Sequence, residues 1–591
     1  KQLVVLAPSS TFEFRGQGLD LRRVGAKLNA TALLEGTVRA GAGMLRVNTR
    51  LVDINTGQQL WSGSFDRSNE DIFAVQDEIA NAVTQALSLA LSLEDESLLA
   101  QNPTNDLTAY DAYLLGRERL AQRRYEAMPE AESYFRLAAE RDPKFALAYA
   151  GLAEALYLQV SYKYWQTNWM EIGPKARQAA ATAISLDPDL GEGYLAQALV
   201  AMGDNEHGKA GSWPDSYISA LLKKAVDLSP SNASALKFYA HYAEPGEKVE
   251  ILVRAAQLDP RSAIIKFNLA ENYEDQEKFD LAESWYLAAA RSQDPPYLTG
   301  YKSLIELHLY STQKLDQAAR WAMAVTQAFP EEWRVKLSAA RTLLELGAWD
   351  ENRQLLDSMP VEKASLQDKP FLWVQLVEAP RLALARGDYE SAYFLAGEFS
   401  RVFLETLKEW PDLSSYAGPW TSGLDIQALI DIQNGESGTA LARYHRLLPD
   451  PASWPTGNFA GMTLRTPVII AALQRLEGEP EAAEAALRQL LLDISGRSIT
   501  RPEGIGFTRF TIHAFLGDTD AAIAALEEAV NAGWLPGWWG LKLGAFDSNY
   551  ARVIADPRFQ NIYAKLENRV RQLREDYYAN PELPAEFKNQ L

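Results

Sequence analysis

The sequence predicts a mainly α protein in which a right-handed α-solenoid of antiparallel helix pairs follows a small α+β domain. Two observations indicate the solenoid. A phrase centred on Pro ends one apolar helix and precedes the next at least four times, as in "ISLDPDLGEGYLAQA" (184–198), and further along the chain Gly residues separate helical patterns. A third observation sets the first hundred residues apart, because their apolar residues follow the period of two that is typical of strands.

Composition narrows the function classes. With 591 residues, of which 47% are apolar, the chain is too long for one core, so several domains or a repeat array are expected. A net charge of −20 argues against direct nucleic-acid binding by this region and against an anionic membrane surface as its main partner. The chain has no Cys, which excludes thiol catalysis, disulfides and Cys-ligated metal. No apolar run in this sequence is long enough to span a bilayer.

Residues 1–95 are predicted to form the α+β domain. "LVVLAPSS" (3–10) predicts a first strand and "LDLRRVGAKLN" (19–29) a helix. Three further strands are expected in "ATALLEGTVRA", "MLRVNTRLVDI" and "QQLWSGSFDR", with turns at "AGAG" (40–43) and "NTGQ" (55–58). An amphipathic helix capped by Ser68 or Asn69 closes the domain, and its apolar face consists of Ile72, Val75, Ile79 and Val83.

Residues 34–83, "LEGTVRAGAGMLRVNTRLVDINTGQQLWSGSFDRSNEDIFAVQDEIANAV", resemble a known family. The segment is similar to the TolB amino-terminal-like domain that precedes tetratricopeptide repeats in CadC-like membrane-anchored regulators and in some bacterial adenylate cyclases. In that family another strand and helix precede the "VVLA" strand. The resemblance therefore implies a domain that is incomplete at its N-terminus, with one unpaired strand edge.

Residues 96–330 are predicted to form a regular repeat array. Apolar and mostly small residues stand 12, 8 and 5 positions before the Pro residues at 143, 188 and 330. These residues are Ala131, Phe135 and Ala138, then Ala176, Ala180 and Ala183, then Ala318, Ala322 and Val325. This spacing is typical of the second helix of a tetratricopeptide repeat, where small residues allow close packing and Pro stops the helix. The segment "FNLAENYEDQEKFDLAESWYLAAA" (267–290) resembles the repeat consensus closely.

After residue 330, Gly rather than Pro marks the joints, the points where one predicted helix ends and the next begins. In residues 331–540, which we interpret as degenerate helix pairs, Gly347, Gly387, Gly435, Gly478 and Gly517 stand where a helix ends in the left-handed conformation. Residues 541–591 are interpreted as C-terminal capping helices and a tail, and "AGWLPGWWGLKLGAFDSNYARVIADPRFQNIYAKL" resembles the C-terminal end of the same family. About eleven helix pairs are expected in total.

A search for catalytic motifs predicts no enzyme. The chain has no phosphate-binding loop, nucleophile elbow, zinc-protease motif or dinucleotide fingerprint. Its five His residues are scattered singly, which is typical of packing or surface residues rather than metal ligands. We therefore expect no catalytic residues, no cofactor and no metal.

Aromatic residues mark the candidate partner-binding site. Two inserts, 160–173 and 204–217, each follow the first helix of a repeat and are expected at one rim of a groove. They contribute Tyr162, Tyr164, Trp165, Trp169, Trp213 and Tyr217, and the first helices add Tyr149, Tyr157, Tyr194, Tyr239 and Tyr242. These rings either cover a neighbouring repeat or form a platform for a peptide, a protein or a sugar-like ligand. Trp534, Trp538 and Trp539 are expected to pack in the C-terminal cap.

Two hypotheses about function follow. The first is a non-catalytic interaction and sensing module of a bacterial membrane-associated signalling or transcriptional regulator, which binds a protein or peptide in the groove. The resemblance to CadC-like regulators implies an upstream winged-helix domain, one transmembrane helix and a periplasmic location, with the cytoplasm as the second choice. The alternative is the regulatory region of an adenylate cyclase whose catalytic domain lies outside this chain. A homodimer is compatible with both hypotheses.

Overall fold

The computed structural model describes residues 5–7, 10–11, 14, 20–41, 44–68, 72–87, 103–124, 126–162, 169–207, 212–293, 296–359, 370–409, 421–447, 465–499 and 505–584. These residues form two compact units. Unit 1 comprises Lys1–Asp275 with Arg291–Pro296, and unit 2 comprises Gln276–Ala290 with Tyr297–Leu591. The four-part division into 1–95, 96–330, 331–540 and 541–591 stays a prediction.

The start of unit 1 is the predicted α+β domain. Helix α1 (Leu21–Leu28) precedes an antiparallel sheet in the order β1 (Ala32–Gly41), β2 (Met44–Asp53) and β3 (Gln59–Ser68), and α2 (Ile72–Ala86) follows. Every second residue of β2 is buried from Leu45 to Leu51, as its alternating pattern predicts. Val75 of α2 packs with Leu45 and Val47 to form the small core of this domain.

The predicted first strand is the exception. Of residues 3–10, the structure describes 5–7 and 10, and these residues lie outside any strand. The Ala7 amide instead donates to the Leu258 carbonyl at 2.8 Å, and the Ser10 hydroxyl donates to Asp259 at 2.6 Å. The strand prediction is therefore wrong for these residues, because their polar groups bond to the end of a repeat helix rather than to the sheet.

The remainder of unit 1 is helical. Its helices are α3 (Leu107–Ala121), α4 (Ala127–Arg141), α5 (Ala146–Tyr162), α6 (Trp169–Leu186), α7 (Gly191–His207), α8 (Asp215–Leu228), α9 (Ala233–Tyr242), α10 (Pro245–Leu258) and α11 (Ala263–Asp275). Consecutive helices pack on one another, and the first helices α3, α5 and α7 also contact each other in order. This is the packing of stacked helix pairs.

The Pro joints are confirmed. At Pro143, Pro188, Pro230 and Pro260 in unit 1, one helix ends two residues before the Pro and the next begins three residues after it. Pro330 in unit 2 follows the same rule. The predicted small residues upstream, among them Ala131, Ala176 and Ala318, are fully buried.

Unit 2 continues with helix pairs. Its helices are α12 (Phe279–Ala290), α13 (Leu298–Glu306), α14 (Leu315–Ala328), α15 (Trp333–Leu346), α16 (Trp349–Asp357), α17 (Pro370–Ala385), α18 (Tyr389–Glu409), α19 (Thr421–Gln433), α20 (Ser437–Leu447), α21 (Arg465–Leu476), α22 (Pro480–Asp493), α23 (Thr508–Leu516), α24 (Thr519–Asn531), α25 (Ser548–Ala555) and α26 (Pro557–Ala579). A π-helical turn at Leu307–Ser311 extends α13. The predicted Gly caps are confirmed, since all five adopt φ between 74° and 91°.

The Trp segment before α25 packs as predicted. Trp534, Trp538 and Trp539 are all buried. The Trp538 indole donates to the Glu345 carbonyl at 2.9 Å, and the Trp539 indole donates to the Glu345 carboxylate at 3.1 Å. The structure thus confirms the predicted fold class, a mainly α chain of tetratricopeptide-type helix pairs after a small α+β domain.

Candidate partner-binding site

The two predicted aromatic inserts meet at one carboxylate in unit 1. The Trp169 indole donates to Asp204 Oδ1 at 2.9 Å, and the Trp213 indole donates to Oδ2 at 3.0 Å. Arg177 forms an ion pair with the same carboxylate. Trp169 and Trp213 therefore lie on one edge of unit 1, at the end of α7.

Trp169 is a core residue, which corrects its predicted role. Only 3% of its surface is exposed, and its ring lies edge-on to Tyr157 with centroids 6.4 Å apart. The absence of side chains at Gly173 and Gly203 makes the slot for the indole, because a Cβ at either position would lie within 3 Å of it. The expectation that Trp169 presents its ring to a partner is wrong, since the repeat needs that ring to fill its own interior.

Trp213 fits the predicted platform better. It is 38% exposed, and its ring stacks on Tyr217 with centroids 4.8 Å apart. The Asn205 side chain accepts a hydrogen bond from the Trp213 amide at 2.9 Å and donates to its carbonyl at 2.7 Å. The Tyr217 hydroxyl accepts from Gln197 at 3.3 Å. The Trp213–Tyr217 pair is thus fixed in place before any partner arrives, which lowers the entropic cost of binding.

Several other predicted rings are less informative. Tyr162 is the last residue of α5, and its side chain lies outside the described part of the structure, as do Tyr164 and Trp165 entirely. Tyr149 and Tyr239 are partly buried against the core of unit 1.

Two more of the predicted rings, Tyr194 and Tyr242, have polar neighbours. Tyr194 donates to the Pro188 carbonyl at 3.0 Å and lies 4.0 Å below the Lys224 ammonium. Burial raises the pKa of Tyr242 to about 12, and Asp215 and Glu206 add to the shift. These two rings therefore contribute to the local packing of unit 1, in addition to any role on its surface.

A charged cluster on the first helices was not predicted. Arg117 of α3 donates to Glu154 Oε2 of α5 at 3.0 Å, and Arg123, just after α3, lies 3.6 Å from Oε1. The side chain of Glu154 is only 5% exposed. Ser234 of α9 donates to the same carboxylate at 3.4 Å. A single buried carboxylate therefore joins three elements that are distant in sequence.

Lys237 of α9 adds a further cation to this cluster. It is 6% exposed, and its ammonium lies 3.1 Å from the centre of the Phe238 ring. Burial lowers the pKa of Lys237 well below its usual value, and the nearby Arg123 lowers it further, while Glu154 opposes both. Within the described ranges Lys237 makes neither a hydrogen bond nor an ion pair. Glu192 also acts on Arg117, but that carboxylate already accepts from Asn232 at 3.0 Å.

The cation cluster continues into the aromatic rings. Tyr157, one turn beyond Glu154 on α5, lies edge-on to Phe238 and to Trp169. Its hydroxyl donates to Glu206 at 3.2 Å. Trp169 and Asp204 connect Tyr157 to Trp213, which precedes the second helix α8. We call the following residues together the first-helix strip: Arg117, Arg123, Glu154, Tyr157, Lys237, Trp213 and Tyr217.

The sequence carried one faint signal for the charged half of this strip. Arg117 and Glu154 are 37 residues apart, close to one repeat, and both fall within first helices. Charged residues at apolar-looking positions of successive first helices are unusual for a pure packing face. The prediction missed them because it weighed aromatic residues and acidic pairs, and not single cations.

Two further observations concern metal binding and membrane-spanning helices. Among the described residues, no group of three or more His, Asp or Glu side chains is placed to hold a metal ion. Within the same ranges, no helix combines the length and the apolar character needed to cross a membrane.

The fold and the strip define a class, a helix-repeat protein with a partly charged and partly aromatic face on its first helices. No family model matches the chain. It is similar to a protein of Rhizobium meliloti (strain 1021) named "Putative adenylate cyclase 3", with 32% identity over 197 residues. The match covers 33% of this chain and 33% of that protein. The chain therefore spans about a third of the length of the curated relative it matches.

Solved helix-repeat structures resemble the chain only distantly. The Cut9–Hcn1 hetero-tetramer of the APC/C aligns over 86% of this chain and 87% of its own, with 11% identity and a TM-score of 0.40. YrrB, described as a TPR protein with an unusual peptide-binding site, aligns over 36% and 98%, with 16% identity and a TM-score of 0.21. PilF of Pseudomonas aeruginosa aligns over 39% and 95%, with 14% identity and a TM-score of 0.27.

Proposed function

We propose that this chain is a non-catalytic partner-binding module whose first-helix strip binds a peptide or protein segment that carries a carboxylate. One observation carries the proposal. Arg117 and Arg123 pair with the buried carboxylate of Glu154, Lys237 lies near them without an ion pair in the described residues, and Tyr157, Trp169 and Asp204 connect this cluster to the Trp213–Tyr217 pair. In a chain of net charge −20, such a local excess of cations favours the binding of an anionic group.

The two halves of the strip have complementary roles in this proposal. A partner carboxylate supplies the acceptor that Lys237 lacks, and a charge-assisted hydrogen bond of this kind is worth about 1.5–3 kcal/mol. The Trp213–Tyr217 pair supplies apolar contact area, and Tyr149, Tyr194 and Tyr239 extend it along the first helices. Tyr162, Tyr164 and Trp165 stay predicted contacts. The strip contacts no nucleic acid directly in this proposal.

Site-specific photo-crosslinking tests the proposal. A benzoylphenylalanine at Tyr217 is expected to capture a partner in the native bacterium. The same probe at Leu137, which is 42% exposed on the second helix α4, is the matched control and is expected to capture none. Adding Lys237→Met to the Tyr217 probe should reduce capture by about tenfold. Equal capture at Leu137, or capture that Lys237→Met leaves unchanged, contradicts the proposal.

Peptide selection tests the chemistry of the partner. Panning a displayed random-peptide library against the full chain should enrich peptides with Asp, Glu or a free C-terminus next to an apolar residue. The Lys237→Met chain should lose that enrichment. Selection of basic peptides by both chains overturns the charge argument.

The effector controlled by this module has two candidates. The resemblance of residues 34–83 supports a membrane-anchored transcriptional regulator, with this region in the periplasm. The match to "Putative adenylate cyclase 3" favours the second candidate, regulation of a nucleotide cyclase. The gene sequence upstream of Lys1 separates the two, because a basic winged helix and a cyclase catalytic domain share no motifs.

Location has its own experiment. A reporter fused after Leu591 of the full-length protein should be active as alkaline phosphatase if this region is periplasmic. A fluorescent GFP fusion at the same point indicates the cytoplasm instead. Analytical ultracentrifugation of the purified chain tests the predicted homodimer.

A further inference from the structure

A cavity of about 90 Å³ lies within unit 2, apart from the first-helix strip. Helices α21 and α23 and the segment that carries Trp534 and Trp539 form its walls. Most of the lining is apolar or aromatic, including Leu429, Val468 and Tyr310. Tyr310 and Trp534 stack with ring centroids 6.1 Å apart. Such a lining, with a few polar groups, is typical of a small-molecule site.

The polar groups of this cavity come from Arg381, Glu345 and two Thr residues. Arg381 is 6% exposed and donates to Glu378 Oε2 at 2.9 Å and to Glu345 Oε1 at 3.3 Å. Its Nε–H is buried and has no hydrogen-bond partner among the described residues. A buried donor without an acceptor costs about 1–3 kcal/mol, so this group has a use for an acceptor from outside the chain.

Two Thr hydroxyls in the wall differ in their bonding. Thr511 donates to the Phe507 carbonyl at 3.1 Å. Thr508, at the start of α23, has no hydrogen bond through its hydroxyl in the described part of the chain. In the described part of the chain, the Arg381 Nε–H and the Thr508 hydroxyl are thus donors in the cavity wall that have no acceptor.

The charges around the cavity are balanced. Arg341 and Arg381 share Glu378, and Glu345 takes the second Arg381 nitrogen together with the Gly537 amide at 2.6 Å. Glu306, which also acts on Arg341 and Tyr310, is paired with Lys302 at 2.7 Å. Three cations thus face three carboxylates. Burial raises the pKa of Tyr310 to about 12, so this phenol is neutral. A ligand with a charge of either sign would lie unpaired here, and an uncharged acceptor is favoured.

Size limits the ligand further. An engineered protein cavity of about 150 Å³ holds benzene, which has six heavy atoms, so by proportion 90 Å³ holds about four, and the open side of this cavity leaves room for about one more. The shape of the wall depends on Gly506, where φ is +47° and a Cβ would lie 2.4 Å from the Trp534 indole nitrogen. The glycine therefore allows Trp534 to close one side.

We propose that this cavity is a binding site for a small uncharged molecule with a short aliphatic body and one carbonyl-type acceptor. The aliphatic body lies against Leu429, Val468 and Trp534. The carbonyl oxygen accepts from the Arg381 Nε–H, and the Thr508 hydroxyl in the same lining is the second donor. This site is independent of the first-helix strip and of the partner proposed above.

Ligand-observed saturation-transfer NMR on the full chain tests this site with three probes of similar size. Butanone carries the neutral acceptor, isobutyrate an anion and isobutylamine a cation. Butanone is expected to bind with a millimolar dissociation constant, and the two charged probes at least about tenfold more weakly. Equal affinity for all three, or no saturation transfer to butanone at any soluble concentration, overturns the proposal.

A matched pair of variants locates the binding. Thr508→Val removes the free hydroxyl and should weaken butanone about fivefold, whereas Thr511→Val removes the bonded hydroxyl of the same cavity and should change affinity less than twofold. Val468→Phe, which fills the cavity, should abolish binding. Equal effects of the two Thr variants overturn the role of Thr508. Crystals soaked with butanone that show only water in the cavity overturn the site, even if Val468→Phe fails to fold.

Discussion

The two units bury charge in different ways. In unit 1, Lys237 is 6% exposed without an ion pair in the described residues, whereas the nearby Arg117 and Arg123 pair with Glu154. In unit 2, Arg381 is equally buried, yet it contacts both Glu345 and Glu378. Glu345 also binds the backbone and indole of the Trp segment. The buried cation of unit 2 thus has two carboxylates and lacks an acceptor only at its Nε–H, whereas the buried Lys237 of unit 1 has no ion pair in the described residues.

This difference indicates what each region does with its helix pairs. A paired buried charge fixes one arrangement of the elements it joins, because removing either partner strands the other. An unpaired buried charge costs stability and gains it back only when a ligand supplies the missing charge. The paired charges of unit 2 therefore stabilise its fold, and under the proposed function Lys237 of unit 1 is stabilised by its partner.

The largest expected effect is in unit 2, on replacing Glu345→Ala. The substitution leaves the Gly537 amide and the Trp539 indole without their buried acceptor, and it removes one of the two carboxylates that Arg381 contacts. We expect a loss of about 4 kcal/mol in the free energy of unfolding of this unit, measured by urea denaturation followed by Trp fluorescence. Glu484→Ala, an exposed partner of Arg488, is the control and should cost less than about 0.5 kcal/mol. If the Glu345→Ala chain is as stable as the control, the hydrogen bonds of Glu345 do not stabilise unit 2.

The second prediction compares two Trp residues that share Asp204. Trp169→Ala should lower the free energy of unfolding by about 3 kcal/mol, because it opens a cavity between Gly173 and Gly203. Trp213→Ala removes a ring that is 38% exposed and should cost less than about 1 kcal/mol. Thermal denaturation of both variants measures this difference in stability. Similar melting temperatures for the two would return Trp169 to the predicted binding platform.

The third prediction concerns pH and a buried base of unit 2. Burial, together with the nearby Lys314, lowers the pKa of His308 from 6.5 to about 3. Glu283 lies 3.8 Å from Nε2, and burial raises the pKa of that carboxyl above its usual value. Since the folded pKa is the lower one, only the unfolded chain takes up this proton as the pH falls below 6.5. Stability is therefore lost in that range.

Between pH 7.5 and pH 5, this proton should account for about 2 kcal/mol of the loss. His308→Gln removes the titrating group, so the variant should lose about 2 kcal/mol less than the parent chain over the same interval. Urea denaturation at the two pH values measures this. If both chains lose the same free energy of unfolding, the His308 ring is in contact with water in the folded chain.

The sequence predicted the joints of both units well and their charged sites poorly. The Pro and Gly joints are local, since a missing amide at Pro143 or a left-handed φ at Gly387 depends only on neighbouring residues. Lys237, Arg123 and Glu154 meet only when helices distant in sequence stack. Nothing near Lys237 in the chain distinguishes it from a solvated lysine.

Trp169 illustrates the opposite error. Its position in an aromatic insert predicted an exposed ring, but α6 begins at Trp169 itself and carries the ring inward. The two glycines that receive it are 30 residues apart in sequence, so the slot was invisible before the helices were packed. The C-terminal Trp residues were predicted correctly because the chain there is too rich in aromatics for a solvated surface.

The smallest effect is the one that links stability to binding in unit 1. Lys237→Met keeps the length of the side chain and removes an unpaired buried charge, so the free energy of unfolding should rise by about 1 kcal/mol at pH 7. Burial lowers the pKa of Lys237 in the folded chain, so below pH 10.5 the unfolded chain binds more protons and the parent chain loses stability as the pH falls. The gain from Lys237→Met should therefore be larger at pH 7 than at pH 10. Lys223→Met, at an exposed lysine paired with Asp227, is the control and should change stability by less than about 0.5 kcal/mol at either pH.

Two outcomes are informative. If Lys237→Met stabilises the chain and also reduces capture through Tyr217, then the unpaired Lys237 lowers stability and contributes to partner binding, as proposed. If Lys237→Met lowers the free energy of unfolding, then Lys237 already has a partner in the folded chain, as Arg381 of unit 2 does.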